Sequence, residues 1–352
     1  MSQDYHEEQK RKNTLKLRQH LSELPEFLSD FFRGISDTTE PRTKIGYAYD
    51  LKIFFRFLSG EIPLFDGKPA TAFDLQDLAR VTTDHIQEFM EYVEYYSAKQ
   101  EGGVREYQNG ERTKSRKLAA VRVMFSYYYK KEKIPANPAE RVDYPKLHEK
   151  AIIRLDVDEV AKLLDVVENG DHMTAHQKKI HNHTMRRDLA MITLLLGTGM
   201  RVSECVGINL EHLDFDNNCV KIVRKGGNEA VLYFGEEVAE ALLVYIRERE
   251  GVVPLYGHEN ALFLSSQRKR ITDRAIQLLV KKYAGFVTGL KKITPHKLRS
   301  TYGTNLYRES GDIYLVADVL GHADVNTTKK HYAAIDEDRR KSAAKYIKLR
   351  KE

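Results

Sequence analysis

The side chains best suited to chemistry in this 352-residue chain lie in five short segments of its second half. They are Gly199-Met-Arg201-Val-Ser-Glu204, Arg224-Lys225-Gly226, His296-Lys-Leu-Arg299, Leu320-Gly-His322 and His331-Tyr332. Together they supply Arg, Lys, His and Tyr side chains and no paired carboxylates. The clustered Asp and Glu that two-metal phosphodiester chemistry needs are therefore missing. No Gly-x-x-x-x-Gly-Lys-Ser/Thr loop is present, so nothing implies a bound nucleotide. Thr294 is placed to cap a helix and Pro295 suits its first position, which puts His296 in the first turn. Arg299, three residues on, shares that face at the positive helix end. An anionic phosphate is the natural ligand of such an arrangement. Arg201, just after the Gly197-Thr-Gly199 turn, is positioned to reach the same anion. Taken singly, each of these residues is an ordinary surface or capping residue. Six in this order are not.

The elements that must carry them read as a mixed second half. A helix opens at Leu155, with Asp156 or Asp158 to cap it, and a buried helix runs from Arg187 to Leu196. Cys219–Arg224 and Glu229–Phe234 alternate like two strands joined by a Gly-containing hairpin turn at Lys225–Asn228. Helices follow at about 236–249, 272–286, 295–309 and 312–320. Residues 168–184 form a polar insert with His172, His176, His181 and His183; without Cys or an apolar helical frame to fix a zinc geometry, it reads as a surface loop.

The first half reads as helical. Ile45, Tyr49, Ile53, Phe54, Phe57 and Leu58 form an amphipathic stripe over Thr43–Leu58. Ile86, Phe89, Met90, Val93 and Tyr96 form a second stripe over Thr83–Tyr96. Residues 100–111 are polar and Gly-bearing, which predicts a loop. A further helix over Thr113–Lys131 turns Leu118, Val121, Phe125 and Tyr128 inward and its basic residues outward, and the Pro-rich segment Ile134–Pro138 stops it. Tyr144–Arg154 reads as an interdomain linker.

Composition bounds the class. The chain is 41% apolar and 31% charged, with a formal net charge of +6, two Cys and 20 Tyr. That length is enough for about two domains, each with a real core. Leu189–Met200, the longest nearly uncharged apolar run, is well short of the ~20 residues of a membrane span. The first twenty residues hold no apolar signal region, and Cys205 and Cys219 cannot make a disulfide framework, so a cytoplasmic protein is expected. The charge is uneven. Residues 112–150 hold eleven Lys and Arg against four Asp and Glu, a local +7, while the rest sums to about −1. With Tyr127, Tyr128 and Tyr129 beside it, this stretch reads equally as a phosphate-backbone footprint or as a solvated helix face.

The ordered set Arg, Lys, His-x-x-Arg, His and Tyr resembles the catalytic signature of the tyrosine recombinases, the phage-integrase and Xer-type superfamily. Thr-Gly-Met-Arg201-Val-Ser-Glu204 is similar to its first arginine motif and Thr-Pro-His296-Lys-Leu-Arg299 to its second. Leu-Gly-His322 through His331-Tyr332 is similar to the motif joining the last histidine to the nucleophile, with ten positions from His322 to Tyr332 where many Xer-type relatives have nine. The resemblance is specific across 155–335 and weaker across about 22–147. It implies a mainly α fold with a small antiparallel sheet: a helical, SAM-like core-binding domain and an α+β catalytic domain closing as a C-shaped clamp on DNA. The implied organisation is a charged extension (1–21), the core-binding domain (22–147), a linker (148–154), the catalytic domain (155–335) and a helical tail (336–352) that docks in cis or in trans.

The resemblance also implies roles. Tyr332 attacks the scissile phosphate of double-stranded DNA to give a 3′-phosphotyrosyl link, and strands exchange through a Holliday junction. Arg201 and Arg299 hold the non-bridging oxygens, Lys225 protonates the leaving 5′-oxygen, His296 acts as base or phosphate donor, and His322 donates to a non-bridging oxygen. Glu204 and Asp188 are candidates for orienting the arginines; Lys114, Arg116, Arg122, Gln277 and Lys281 are candidates for touching DNA. His331 has no role in this scheme, and Tyr346, the runner-up nucleophile, matches no motif. No metal or cofactor is implied, and the partners are DNA and a homotetramer on two sites, near the nucleoid. The competing functions are a type IB topoisomerase, which relaxes DNA as a monomer, and a DNA-binding protein without catalysis.

Overall fold

The computed structural model describes residues 5–100, 103–148, 153–224, 226–322 and 324–325, and the chain divides into two compact units, Asp4–Lys150 and the part from Ala151 onward. The first unit comprises α1 (Tyr5–Leu21), α2 (Leu28–Gly34), α3 (Pro41–Glu61), α4 (Leu75–Arg80), α5 (Thr83–Tyr92), the strands β1 (Tyr95–Gln100) and β2 (Gly103–Gln108), and α6 (Glu111–Lys130). Its core is aromatic: Phe54 meets Phe55, Phe89 and Phe125 edge to face, at centroid separations of 5.6, 5.1 and 6.3 Å. Thr82 caps α5 by accepting from the His85 N–H at 3.2 Å, and Pro41 opens α3 at a position where no N–H is needed.

Two expectations fail in this unit. The α5 helix ends at Tyr92, and β1 and β2 pair antiparallel, with Tyr96 opposite Tyr107, where a longer helix and a loop were expected. Tyr96 is buried either way, because it stacks on Tyr92 and Tyr107 from a strand. The helical stripe thus matched burial but not backbone. Second, α6 buries one of its cations: Lys117 is 1% exposed. Its ammonium lies 3.4 Å from Asp50 Oδ1 on α3, and Arg116 also bonds that fully buried carboxylate. Burial holds the Asp50 carboxyl above the ordinary carboxylate range and the Lys117 ammonium below its ordinary value, each opposing the attraction between them.

The second unit comprises α7 (Val157–Asn169), α8 (Ala175–Asn182), α9 (Met185–Thr198), α10 (Val202–Gly207), the sheet β3–β4–β5 (Leu213–Asp214, Cys219–Val223, Glu229–Tyr233), α11 (Glu236–Glu250), α12 (Asp273–Val287), α13 (Pro295–Ser310) and α14 (Ile313–Leu320). The α9 helix, apolar almost all round, is the centre: α7, α11 and α13 pack on it. All strand pairs are antiparallel. The architecture is therefore mainly helical with small antiparallel sheets. The insert at 168–184 is not a loop, since Gly170 ends α7 in a left-handed turn and Thr174 starts α8 by accepting from the Gln177 N–H at 3.3 Å. No helix among the described residues is long and apolar enough to cross a membrane.

The buried Asp50 carboxylate gives a stability test. Asp50→Ala leaves Lys117 buried without its counter-charge and is expected to cost about 3–5 kcal/mol. Replacing both partners, Asp50→Leu with Lys117→Met, is expected to restore most of that loss. Urea denaturation of the intact chain reads both values.

Candidate active site

The site is organised by the end of a helix. Asp312 starts α14 by accepting from the N–H groups of Tyr314 and Leu315 at 2.8 and 3.1 Å, and Val316, Ala317 and Leu320 bury its inner face. Gly321 ends it with φ +62°, and the His322 N–H donates back to the Ala317 carbonyl at 2.9 Å. Helix ends leave carbonyls short of donors. Here three arginines supply them. Arg299 donates to the Leu320 carbonyl and, at 2.8 Å, to that of Gly199. Arg201 donates to the Gly321 carbonyl at 3.2 Å, and Arg224 to the Val319 carbonyl at 2.9 Å. Cations at the negative end of a helix dipole are doubly favoured.

Each arginine is placed by its own local structure. Gly199 closes α9 at φ +64°, and a Cβ there would sit 2.3 Å from Tyr302 Cδ1; only glycine turns this corner. Arg201 is then the residue before α10. Its N–H donates to Glu204 Oε2 at 2.7 Å and its guanidinium to Oε1 at 2.8 Å. Glu204 is 3% exposed at its side chain and Arg201 35%, so an internal carboxylate holds a guanidinium whose other edge reaches the surface. Arg299 is buried in the first turns of α13, and His296 is exposed in the first turn. Thr294 stands at the residue before that helix with extended backbone, but its hydroxyl makes no capping bond.

The structure thus brings Arg201, Arg299 and the segment ending at His322 together through Gly199, Leu320 and Gly321. Lys225, His331, Tyr332 and Tyr346 lie outside the described residues, as does the tail 336–352. Asp188 does not orient either arginine. It accepts from Arg187 at 2.7 Å, from Thr184 at 3.0 Å and from the Tyr283 hydroxyl at 2.9 Å. His181 completes that buried group, its Nδ1 3.1 Å from the Tyr283 oxygen. Of the four histidines in the insert, His181 is the buried one, and among the described residues no group of His, Cys, Asp and Glu could hold a metal ion.

Of the five candidates for touching DNA, three are engaged within the chain. Lys114 pairs with Glu94 at 2.6 Å, Arg116 bonds Asp50, and Arg122 donates to the Glu140 carbonyl at 2.9 Å while lying over the Tyr144 ring. Gln277 and Lys281 are exposed one turn apart on α12. Sequence reasoning passed over Arg224, whose only signal was its place beside Lys225.

Solved structures with this architecture include a XerH site-specific recombinase bound to a palindromic difH substrate in a post-cleavage complex, at TM-score 0.63 and 21% identity, over 86% of this chain and 78% of that one. The Tn1549 transposon integrase in complex with transposon right end DNA matches at TM-score 0.63 and 20% identity, over 91% of this chain and 98% of that one. The fold is thus that of the tyrosine recombinases and integrases. Among curated relatives, the tyrosine recombinase XerC of Caldanaerobacter subterraneus subsp. tengcongensis is 32% identical over 91% of this chain and 85% of its own length. That of Thermodesulfovibrio yellowstonii is 34% identical over 62% of this chain and 69% of its own. Residues 154–339 match the phage integrase family, and the chain belongs to that family as a tyrosine-type site-specific recombinase.

The buried histidine carries a pH prediction. Burial, helped by Lys282, lowers the affinity of His181 for a proton below its ordinary value. The folded state therefore keeps it neutral, while the unfolded chain binds a proton near pH 6.5. Stability is expected to fall as pH drops below about 6.5, because the unfolded state then binds more protons. His181→Gln is expected to flatten that slope, read as unfolding midpoints between about pH 7 and 5.

Proposed function

We propose that the chain cuts and rejoins double-stranded DNA at a specific site with Tyr332 as nucleophile and Arg201 and Arg299 as the phosphate clamp. The observation that supports this most is the meeting of both arginines on the carbonyls of residues 320 and 321, next to His322. A guanidinium already fixed by protein carbonyls and a buried carboxylate needs no reorganisation when phosphate charge grows in the transition state. Arg201, with an edge at the surface, presents the forked donors that phosphate oxygens accept.

In the cleavage step the Tyr332 phenol oxygen bonds to phosphorus and the P–O5′ bond breaks. The phenol proton passes to His296 as base, and Lys225 gives a proton to the departing 5′-oxygen. His322 donates to a non-bridging oxygen. The phosphodiester energy is kept in the tyrosyl link, so a 5′-hydroxyl of another strand reverses the step without ATP. Two such exchanges, through a Holliday junction, recombine two sites, and a homotetramer supplies four tyrosines for four strands. Sedimentation on DNA carrying two sites reads that stoichiometry.

Gln277 and Lys281, exposed on α12, face DNA in this reading, and the exposed Arg112 at the start of α6 and Lys130, Lys131 and Lys133 at and after its end supply phosphate contacts. Tyr332→Phe is expected to bind duplex DNA with unchanged affinity and to form no covalent adduct. Cleavage by this variant refutes the assignment. Relaxation of supercoiled DNA lacking any specific site would instead indicate a topoisomerase.

A further inference from the structure

In the sequence Lys225 follows Arg224 directly, just past β4, and the described residues of the turn into β5 have little to rest on. Residues 226–228 are exposed, Gly226 and Gly227 have φ +91° and +87°, and no atom lies within 4 Å of where a Gly227 Cβ would be. The ladder ends at Val223 opposite Glu229, closed by an Arg224 N–H to Asn228 carbonyl bond of 2.7 Å. Hairpin bonds alone fix the two strands to each other, not to the phosphate clamp.

Arg224 makes that second connection. Its guanidinium donates to the Val319 carbonyl at 2.9 Å and reaches the Asp318 carbonyl at 3.4 Å, on the same helix end that receives Arg201 and Arg299. It also fills the space beside Gly321. A Cβ on that residue would lie 2.3 Å from Arg224 Nη1. The Arg224 Nε–H is buried and has no acceptor among the described residues, so the group is seated by shape and by its two terminal nitrogens. Gly321 is therefore held on both sides: Arg224 packs on its α-carbon and Arg201 bonds its carbonyl.

We propose that Arg224 is a positioning residue for strand cleavage: by tying the root of the β4–β5 hairpin to the C-terminal carbonyls of α14, it sets where the next residue, Lys225, can deliver its proton relative to the arginine clamp. The inference rests on the reading of Lys225 as the proton donor to the leaving 5′-oxygen. Arg224 itself touches no reacting atom. A displacement of the donor by about 1 Å is enough to cost on the order of 10²-fold in rate.

The test compares two suicide substrates, one with an ordinary phosphodiester and one with a 5′-bridging phosphorothiolate whose thiolate leaves without a proton. Arg224→Met is expected to cleave the first about 10–100-fold more slowly than the unaltered protein and the second within about threefold of it. A purely structural defect would slow both alike. Gly321→Ala, which crowds the guanidinium without removing it, is expected to show the same dependence on the leaving group. Lys225→Ala, run beside them, separates the two claims. If it is rescued on the phosphorothiolate and Arg224→Met is not, the positioning role is wrong and the donor assignment stands. If Lys225→Ala stays slow on both, the donor assignment fails and the positioning role falls with it. Cleavage of the ordinary substrate by Arg224→Met at the unaltered rate also overturns the proposal.

Discussion

In the second unit the meeting of Arg201, Arg224 and Arg299 depends on how one helix end is satisfied. The last carbonyls of α14 carry partial negative charge, and that of Leu320 lies buried, where an unpaired acceptor is costly. Arginines from the turn after α9, from the end of β4 and from the first turns of α13 converge on them. Segments up to 120 residues apart in sequence are thereby locked to one point. Two glycines make the approach feasible, because both Gly199 and Gly321 adopt positive φ and both face occupied space where a side chain would collide. A cluster of cations that would repel one another in isolation is stabilised by fixed dipoles, and it is ready for an anion that brings full negative charge.

The first unit uses charge differently. Its basic stretch looks like a continuous footprint in the sequence, yet Lys117 is buried and Lys114, Arg116 and Arg122 have partners within the chain. The exposed remainder, Arg112, Lys130, Lys131, Lys133, Arg141 and Lys146, flanks and follows α6. Electrostatic attraction for a phosphate backbone thus comes from fewer groups than composition implies. The long stems of the paired residues serve packing as much as charge.

The sequence made the helices legible wherever a cap or a glycine stop coincided with an apolar stripe, as at Asp156, Gly199 and Asp312. It misled where burial and period agreed for the wrong reason: Tyr96 continues the spacing of α5 but reaches the core from a strand, stacked on Tyr107. The 168–184 insert looked like a loop because α8 buries only His181, and a helix held by its caps and one buried polar contact has no stripe to reveal it. Motif order pointed to Arg201, Arg299 and His322. Asp188 was misjudged because its partner is its own neighbour Arg187, and Arg224 was passed over because its meaning lies in a contact with residues 318–321 that no local pattern records.

The central claim is that the arginine-bound end of α14 prepares a phosphate for attack by Tyr332, and mapping the covalent adduct tests it most directly. The intact protein is incubated with a nicked suicide duplex carrying its site, digested with trypsin, and the DNA-linked peptide is sequenced by mass spectrometry. The expected peptide is His331–Arg339, in which Tyr332 is the sole tyrosine, linked through a 3′-phosphate. An adduct on the peptide Tyr346–Lys348, a 5′-linkage, or no adduct on DNA that the protein demonstrably binds would contradict it.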